Sequence, residues 1–323
     1  MQSFRRVLIT GIAGFAGSHL AEEFAGAGYE VFGTRVRGES RENLAGVKGH
    51  VDVRVLDVRS RRACEKLLAD IRPQALFHLA ASSAVGVSFS DPELAMQVNF
   101  TGTLNILEAI RQNTRVRREL GVVLTVGSAD MYGCVKRSQL PLTEEQPLNP
   151  VSPYAVSKAA ADFLCGTYHR VYRLPIIRVR AFNHAGPRQR TGFIVPDFAS
   201  QIARLEKRSG RRVLKAGDLS TRRDITDVRD VARAYRLIAE HGKIGEVYHI
   251  GSGRAVSMQS VLNWLLRMAR HPITVTRDPR RVRPAEVPVL KADITRLKKL
   301  GWRPTISLKQ TLADTLEYYR SRV

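Results

Sequence analysis

The chain has 323 residues, 44% of them apolar and 25% charged, with 52 basic against 30 acidic side chains and a net charge of +22. Its length exceeds one small domain, and its composition excludes wholesale disorder and a fibrous repeat. Three cysteines, Cys64, Cys134 and Cys165, stand without CxxC or Cys/His ligand spacing, which excludes a disulfide framework and a metal site and fits a reducing cytoplasm.

Arg5-Arg6 followed by VLITGIAGFAG imitates the start of a signal peptide, but glycines break the apolar part, and residues 6–10 read instead as a first strand. A helix over 15–27, strands at 30–34 and 51–56, a helix over 60–70 and a buried strand at 75–79 follow. Helix 92–112, strand 122–126, helix 153–171 and strand 175–179 come next. Short β-branched runs alternating with helices predict right-handed βαβ units and an α/β fold, a Rossmann-type doubly wound parallel sheet covered on both faces. After Arg180 the rhythm changes. Loops rich in Gly, Pro and Arg over 185–193, 208–223 and 277–288 separate helices near 196–207, 228–241, 257–270 and 307–320. The expectation is a cofactor-binding domain over 1–180 and a smaller C-terminal α/β substrate domain over 181–323, some of whose segments return to the first sheet. No run of about 18 apolar residues is present, so no membrane span is expected.

The charge is uneven. Residues 1–180 hold 23 basic and 17 acidic side chains (+6), and residues 181–323 hold 29 and 13 (+16). An anionic partner meeting the second part is one reading, and the solvated surface of an arginine-rich protein is the other. The basic residues fall in short scattered clusters (Arg61-Arg62, Arg117-Arg118, Arg211-Arg212, Arg280-Arg281) without a nucleic-acid motif, so a nucleic-acid partner is not expected.

Between the first strand and helix stands Thr10-Gly11-Ile12-Ala13-Gly14-Phe15-Ala16-Gly17. Glycines there permit a tight turn and the close approach of a pyrophosphate to a helix N-terminus, or simply pack helix on strand. Asp57 is placed either to bond an adenine amino group or to cap the next helix. The second strand ends in Thr34-Arg35-Val36-Arg37, where an NAD site would carry an acid. Arg35 can pair with a 2′-phosphate, which favours NADP(H) over NAD(H). Tyr154 and Lys158 form YxxxK one turn apart on a helix opened by Ser152-Pro153. An ammonium beside the phenol would lower its pKa from about 10 toward working pH and let it exchange a proton with a hydroxyl or carbonyl. Ser128 follows strand 122–126 at the carboxyl edge of the sheet, where open α/β proteins bind ligands.

Those motifs, in that order, resemble the extended short-chain dehydrogenase/reductase family and its nucleotide-sugar branch. The resemblance is carried by GIAGFAG (11–17), HLAA (78–81), VNFTGTLNILEA (98–109), GSADMYG (127–133), SPYAVSKAAAD (152–162), RAFNHAGPRQ (180–189), RRDITDVRDVARAY (222–235) and RPAEVPVLKAD (283–293). The stretches at 182–199 and 223–231 are most similar to GDP-6-deoxy-4-keto-mannose reductases, which make GDP-rhamnose, and next to GDP-mannose 4,6-dehydratases. The resemblance implies that Ser128 bonds the C4 oxygen of the sugar, that Tyr154 exchanges the proton there, and that Lys158 holds the nicotinamide ribose and tunes the tyrosine. It implies cofactor contacts from Gly11, Ile12, Gly14, Phe15, Ala16, Gly17, Arg35, Asp57, Val58, Leu79, Ala80 and Ala81. Substrate contacts would come from Ser83, Asn183 and Val195, with Arg223 and Arg283 on the diphosphate and Glu286 near the nucleoside ribose. Asn99 and His184 are either cofactor neighbours or satisfied structural polar groups, and Cys134 reads as a buried packing residue. Relatives pair through helices at 92–112 and 153–171, which implies a homodimer built on a four-helix bundle.

Position 130 separates the branches. Dehydratases carry a glutamate there that moves protons at C5 and C6. Asp130 is one methylene shorter, and general acid/base work needs a reach of about 2.6 to 3.2 Å. The expectation is therefore NADPH-dependent reduction of the C4 ketone of a GDP-4-keto-6-deoxy-mannose-type sugar, with a 4,6-dehydratase holding NADP or a 4-epimerase as the alternatives.

Overall fold

The computed structural model describes residues 4–281 and 287–323. Strands β1 (Arg6–Thr10), β2 (Glu30–Arg35), β3 (Val51–Val55), β4 (Ala75–His78), β5 (Val122–Ser128) and β6 (Ile176–Ala181) form a parallel sheet, which β10 (Val247–Ile250) completes to seven strands. The order is β10-β6-β5-β4-β1-β2-β3. The winding reverses between β1 and β4, whose register sets Thr10 opposite His78, and the crevice at that reversal is where a doubly wound sheet binds its ligand.

Alternation along the strands divides the core. Val7 and Ile9 of β1 face Phe24, Phe77 and Tyr235 on the side covered by α1 (Phe15–Gly26) and, further along the chain, α9 (Val228–His241). Leu8, between them, faces Leu76, Val123, Ile106 and Leu107 on the other side. That second face is covered by α2 (Arg61–Ile71), α5 (Gly102–Gln112) and α7 (Pro153–Tyr172), while α3 (Val85–Ser90) and α4 (Pro92–Met96) lie against α7 and α6 (Thr114–Glu119) follows α5.

Helix ends follow local chemistry. Ser152 caps α7 by accepting from the Ala155 amide, Pro153 fills its first turn, and Arg173 closes it in the left-handed region. Ser60 caps α2 through the Ala63 amide, so Asp57 is not the cap. The single helix expected over 92–112 is instead α4 and α5 joined by a π-helical turn at Gln97–Thr101. Single π turns inside helices are frequent at functional sites, and this one carries the buried Asn99.

Beyond Phe182 the chain leaves the large sheet. β7 (Asn183–Ala185) pairs with β9 (Arg222–Asp227), which also pairs with β11 (Ala255–Ser257) and β13 (Val289–Leu290). β8 (Val213–Ala216) and β12 (Thr274–Arg277) make a two-stranded ribbon inside or beside segments read from sequence as loops. These strands are four residues long, too short to show a period of two. Helices α8 (Ile194–Glu206), α10 (Met258–Arg267) and α12 (Leu308–Arg320) enclose a separate apolar cluster containing Phe198, Leu214, Leu262 and Leu312. β10, at residues 247–250, lies in the first sheet beside β6, and α11 (Thr295–Lys299) packs against it. Cys64 and Cys165 are buried, but Cys134 is exposed, contrary to its expected packing role, because it follows the serine loop on the surface rather than entering a helix.

Candidate active site

The glycine turn sits on the sheet's reversal point. Gly11 has φ +72°, and a β-carbon there would lie 2.9 Å from the Ala80 amide, so only glycine lets the turn and the 79–81 segment approach. A methyl group on Gly17 would run into the Gly11 carbonyl oxygen. Ile12 is buried under the turn. α1 begins at Gly14 with no side-chain cap and no acid in its first turn. A helix N-terminus left uncapped and uncrowded by acids is a fit for a dinucleotide diphosphate. Phe15 stacks on His184 with centroids 5.6 Å apart and planes at 9°, while Ala16 stays half-buried beside it. The 79–81 edge is held by a buried chain in which Thr10 Oγ1 accepts from the Ala80 amide at 3.1 Å and meets His78 Nδ1 at 2.8 Å. Burial lowers the His78 pKa to about 3, so this imidazole is a neutral structural link.

At the end of β2, Arg35 donates from Nη1 to the Val36 and Glu39 carbonyl oxygens at 3.1 and 2.9 Å, and its buried Nε has no partner. An orphaned guanidinium N–H at the strand end is the donor a 2′-phosphate needs. Asp57 is paired with Arg59 at 2.7 Å, and that hydrogen bonding holds its carboxyl below the usual range. Val58 is buried beside it, packed with Leu56 and Leu107. Leu79 and Ala81 are half-buried at the crevice.

Tyr154, Lys158 and Ser128 are each at most 9% exposed. Ser128 lies near enough to the Tyr154 phenol to favour its ionised form. Ser128 Oγ accepts from the Asp130 amide at 3.2 Å and reaches Asp130 Oδ2 at 3.5 Å. Lys158 Nζ donates to the Val126 carbonyl oxygen at 2.6 Å. The sequence expectation for the phenol is overturned. Its pKa is raised, by burial first and by the Asp130 carboxylate second, with only Ser128 acting downward. Burial likewise lowers Lys158 to about 8. Tyr154 therefore holds its proton at neutral pH.

Asn99 is buried and hydrogen-bonded through both ends of its side-chain amide. Its Oδ1 accepts from the Ser82 amide at 2.9 Å, and its Nδ2 donates to the Ser82 carbonyl oxygen and to Ser157 Oγ at 3.1 and 2.9 Å. It ties the 80–83 segment to α7. His184 Nδ1 faces the Phe182 carbonyl oxygen at 3.1 Å, and burial lowers its pKa. Ser83 and Asn183 are exposed, and Arg223 is half-buried with Nη1 donating to the Arg222 carbonyl oxygen at 3.0 Å. Val195 is 3% exposed and belongs to the core cluster under α8, so its side chain packs the interior. Arg283 and Glu286 lie outside the described residues. Sequence reasoning missed Ser88, whose Oγ accepts the first-turn amide of Tyr154 at 3.1 Å. Nothing in its local pattern marks it, since its partner is 66 residues away.

This geometry has close relatives. GDP-6-deoxy-D-mannose reductase of Pseudomonas aeruginosa is 33% identical, over 99% of this chain and 98% of its own length. GDP-mannose 4,6-dehydratase of Vibrio cholerae is 28% identical, over 96% and 92%. Among solved structures, RMD from Pseudomonas aeruginosa complexed with NADPH superimposes with a TM-score of 0.83 at 31% identity, covering 98% of this chain and all of that one. A Thermus thermophilus UDP-glucose 4-epimerase in complex with NAD gives 0.86 at 30%, with the same coverage. The backbone is thus common to several chemistries, and the side chains must separate them. The match to the GDP-mannose 4,6 dehydratase family extends over residues 8–315, and the chain belongs to that family, within the extended short-chain dehydrogenases/reductases.

Proposed function

We propose that the protein reduces the C4 ketone of a GDP-linked 4-keto-6-deoxy-mannose-type sugar with NADPH, giving GDP-rhamnose or its C4 epimer. The observation that carries this is Ser128, Tyr154 and Lys158 buried together at the end of β5, with Asp130 Oδ2 3.5 Å from Ser128 Oγ on a side chain one methylene shorter than the dehydratase glutamate. Reduction asks the tyrosine to give a proton first, whereas a dehydratase or epimerase asks it to take one from the C4 hydroxyl first. The short Asp130 arm, poorly placed for proton transfer at C5 and C6, favours the reduction.

NADPH, when bound, supplies the hydride to C4. The glycine turn and the uncapped start of α1 receive its diphosphate, and Arg35 its 2′-phosphate. Ser128 Oγ donates a hydrogen bond to the C4 oxygen as negative charge develops there, and Tyr154 protonates that oxygen. Lys158, anchored at Val126, keeps a positive charge near the resulting tyrosinate until solvent returns the proton. Arg223, with Arg283, pairs with the GDP diphosphate, where fork-shaped donors suit paired anionic oxygens. Ser83 and Asn183 contact the sugar nucleotide, and Glu286 its ribose.

A second reading is 4,6-dehydration, which the carboxylate of Asp130 3.5 Å from Ser128 supports. Supplying GDP-mannose with NADP⁺, and separately the 4-keto-6-deoxy sugar with NADPH, separates the two. NADPH oxidation only with the ketosugar is expected. Loss of water from GDP-mannose without added reductant sinks the reductase reading.

We also read the protein as a cytoplasmic homodimer paired through α5 and α7. Val156 and Phe163, one face of α7 at i and i+7, are 44% and 58% exposed, and two free apolar side chains on one helix stripe suit a partner helix. No described helix is long and apolar enough to cross a membrane.

A further inference from the structure

Three of the motif stretches contain a residue for which chemistry at Tyr154 has no use: Tyr132 in GSADMYG, Asp162 in SPYAVSKAAAD and Arg180 in RAFNHAGPRQ. The fold brings these three together behind the site. Arg180, on β6 and 5% exposed, donates from Nε and Nη2 to the two carboxylate oxygens of Asp162 at 3.3 and 3.0 Å. Its Nη1 donates to the Tyr132 hydroxyl at 2.8 Å and to the Glu144 carbonyl oxygen at 2.9 Å. The Tyr132 hydroxyl then donates to His249 Nε2 at 2.6 Å. Burial lowers His249 to about 3, so its ring is neutral, and with Nδ1 facing the Asp293 carbonyl oxygen at 3.2 Å its Nε2 is the acceptor. Arg180 thus makes four hydrogen bonds at this junction.

What the junction connects gives it meaning. Tyr154, Lys158 and Asp162 follow one another at i, i+4 and i+8 on one face of α7. Lys158 docks that face on β5 at Val126, and Asp162 docks it on β6, where Arg178 adds a second bond at 3.1 Å. Tyr132 closes the short 3₁₀ turn Ala129–Tyr132 that begins directly after Ser128. A single guanidinium therefore joins the helix that presents the phenol to the loop that presents the serine. Only a planar fork can hold a carboxylate with two N–H groups while aiming a third at a hydroxyl.

We propose that Arg180 is a positioning residue that sets the separation of Ser128 and Tyr154 through Asp162 and Tyr132. For its kinetic test this rests on the proton-donor role given to Tyr154 above. A one-ångström misplacement of reacting groups costs up to about 100-fold in rate without weakening substrate binding, so the expected signature is in kcat. Tyr132→Phe keeps the ring and the Asp162 pair but cuts the bridge. It should lower kcat by roughly 10-fold or more while leaving KM for NADPH and for the ketosugar within about twofold. Arg180→Lys, which keeps the charge and loses the fork, should do at least as much. The double variant should be no slower than Arg180→Lys alone, because the two act through one link. Crystal structures of the wild type and of Tyr132→Phe read the Ser128 to Tyr154 separation directly, whatever nucleotide sugar the enzyme turns over, and an increase of about 0.5 Å is expected. Unchanged kcat in folded Tyr132→Phe, rate losses that multiply in the double variant, or an unchanged separation each overturn the proposal. If Arg180→Lys does not fold, Tyr132→Phe decides alone. A wild type inactive on the ketosugar counts against the function proposed above, and the measured separation still settles the positioning role.

Discussion

The ammonium of Lys158 is bonded to the carbonyl oxygen of Val126 at 2.6 Å, across from the helix that carries it, and burial lowers its pKa from 10.5 to about 8. A buried lysine of this kind weighs on stability in a defined pH window. Below about pH 8 the folded and unfolded chains both carry the proton, and the cost of burying the charge is present in full. Between about 8 and 10.5 the folded chain releases the proton while the unfolded chain keeps it, so stability rises with pH. Lys158→Met removes the group from this balance. Thermal melting at pH 7 should show the variant more stable than the wild type by on the order of 2 kcal/mol, with the gap narrowing toward pH 10, although turnover collapses. A gap that widens with pH contradicts the assignment.

Asp130 acts on Tyr154 through its charge. In the reduction direction the active tyrosine is the protonated one, so the rate falls as pH climbs through the phenol's pKa in the complex. The Asp130 carboxylate raises that pKa, and Asp130→Asn should therefore move the alkaline limb of kcat to lower pH while kcat at pH 7 stays within about tenfold of wild type. A dehydratase that uses this carboxylate as an acid/base would behave differently, losing water elimination by about 100-fold or more at every pH. Full pH profiles of the two proteins distinguish the outcomes.

The phosphate preference has its own test. Arg35 presents a buried Nε without a partner at the end of β2. A charge-assisted bond to a 2′-phosphate contributes about 1.5 to 3 kcal/mol, so Arg35→Ser should weaken NADPH by roughly 10- to 100-fold in a fluorescence titration. NADH binding should not change, since that cofactor lacks the group. Equal losses for both cofactors would show that Arg35 serves only the loop formed by Val36 and Glu39.

Much of this site was legible in the chain because it sits on buried parallel strands, whose continuous apolar runs end abruptly where the sheet meets the crevice. β1, β4 and β5 end at or beside Gly11, His78 and Ser128, and YxxxK fell on the helix opened by Ser152-Pro153. What stayed hidden depends on distant partners. The break at Gln97–Thr101 serves Asn99, whose contacts are Ser82 and Ser157. The spacing of Tyr154 and Lys158 says that they share a face but not how deeply they are buried, and burial reverses the expected direction of the phenol's pKa. His249 had no motif at all, because its role at the Tyr132 hydroxyl arises from β10 joining the sheet beside β6.

The exposed stripe on α7 leads to the last prediction. Val156, Phe163 and Val171 are spaced seven and eight residues apart and are 44%, 58% and 62% exposed, and Val87 and Phe89 on the adjoining α3 add 48% and 37%. Leaving these side chains in water forfeits the burial a partner would give, about 1.5 to 3 kcal/mol for a full aromatic or aliphatic side chain. A carboxylate in their midst would face its own copy across a two-fold axis and repel it. Phe163→Glu should convert a dimer to a monomer in sedimentation velocity at micromolar protein. Its melting temperature at low concentration should barely move, because Phe163 contributes little to the protomer's own core. A wild type that sediments as a monomer under the same conditions would remove α7 as the pairing surface, and a variant that stays dimeric would place the interface on another face of the molecule.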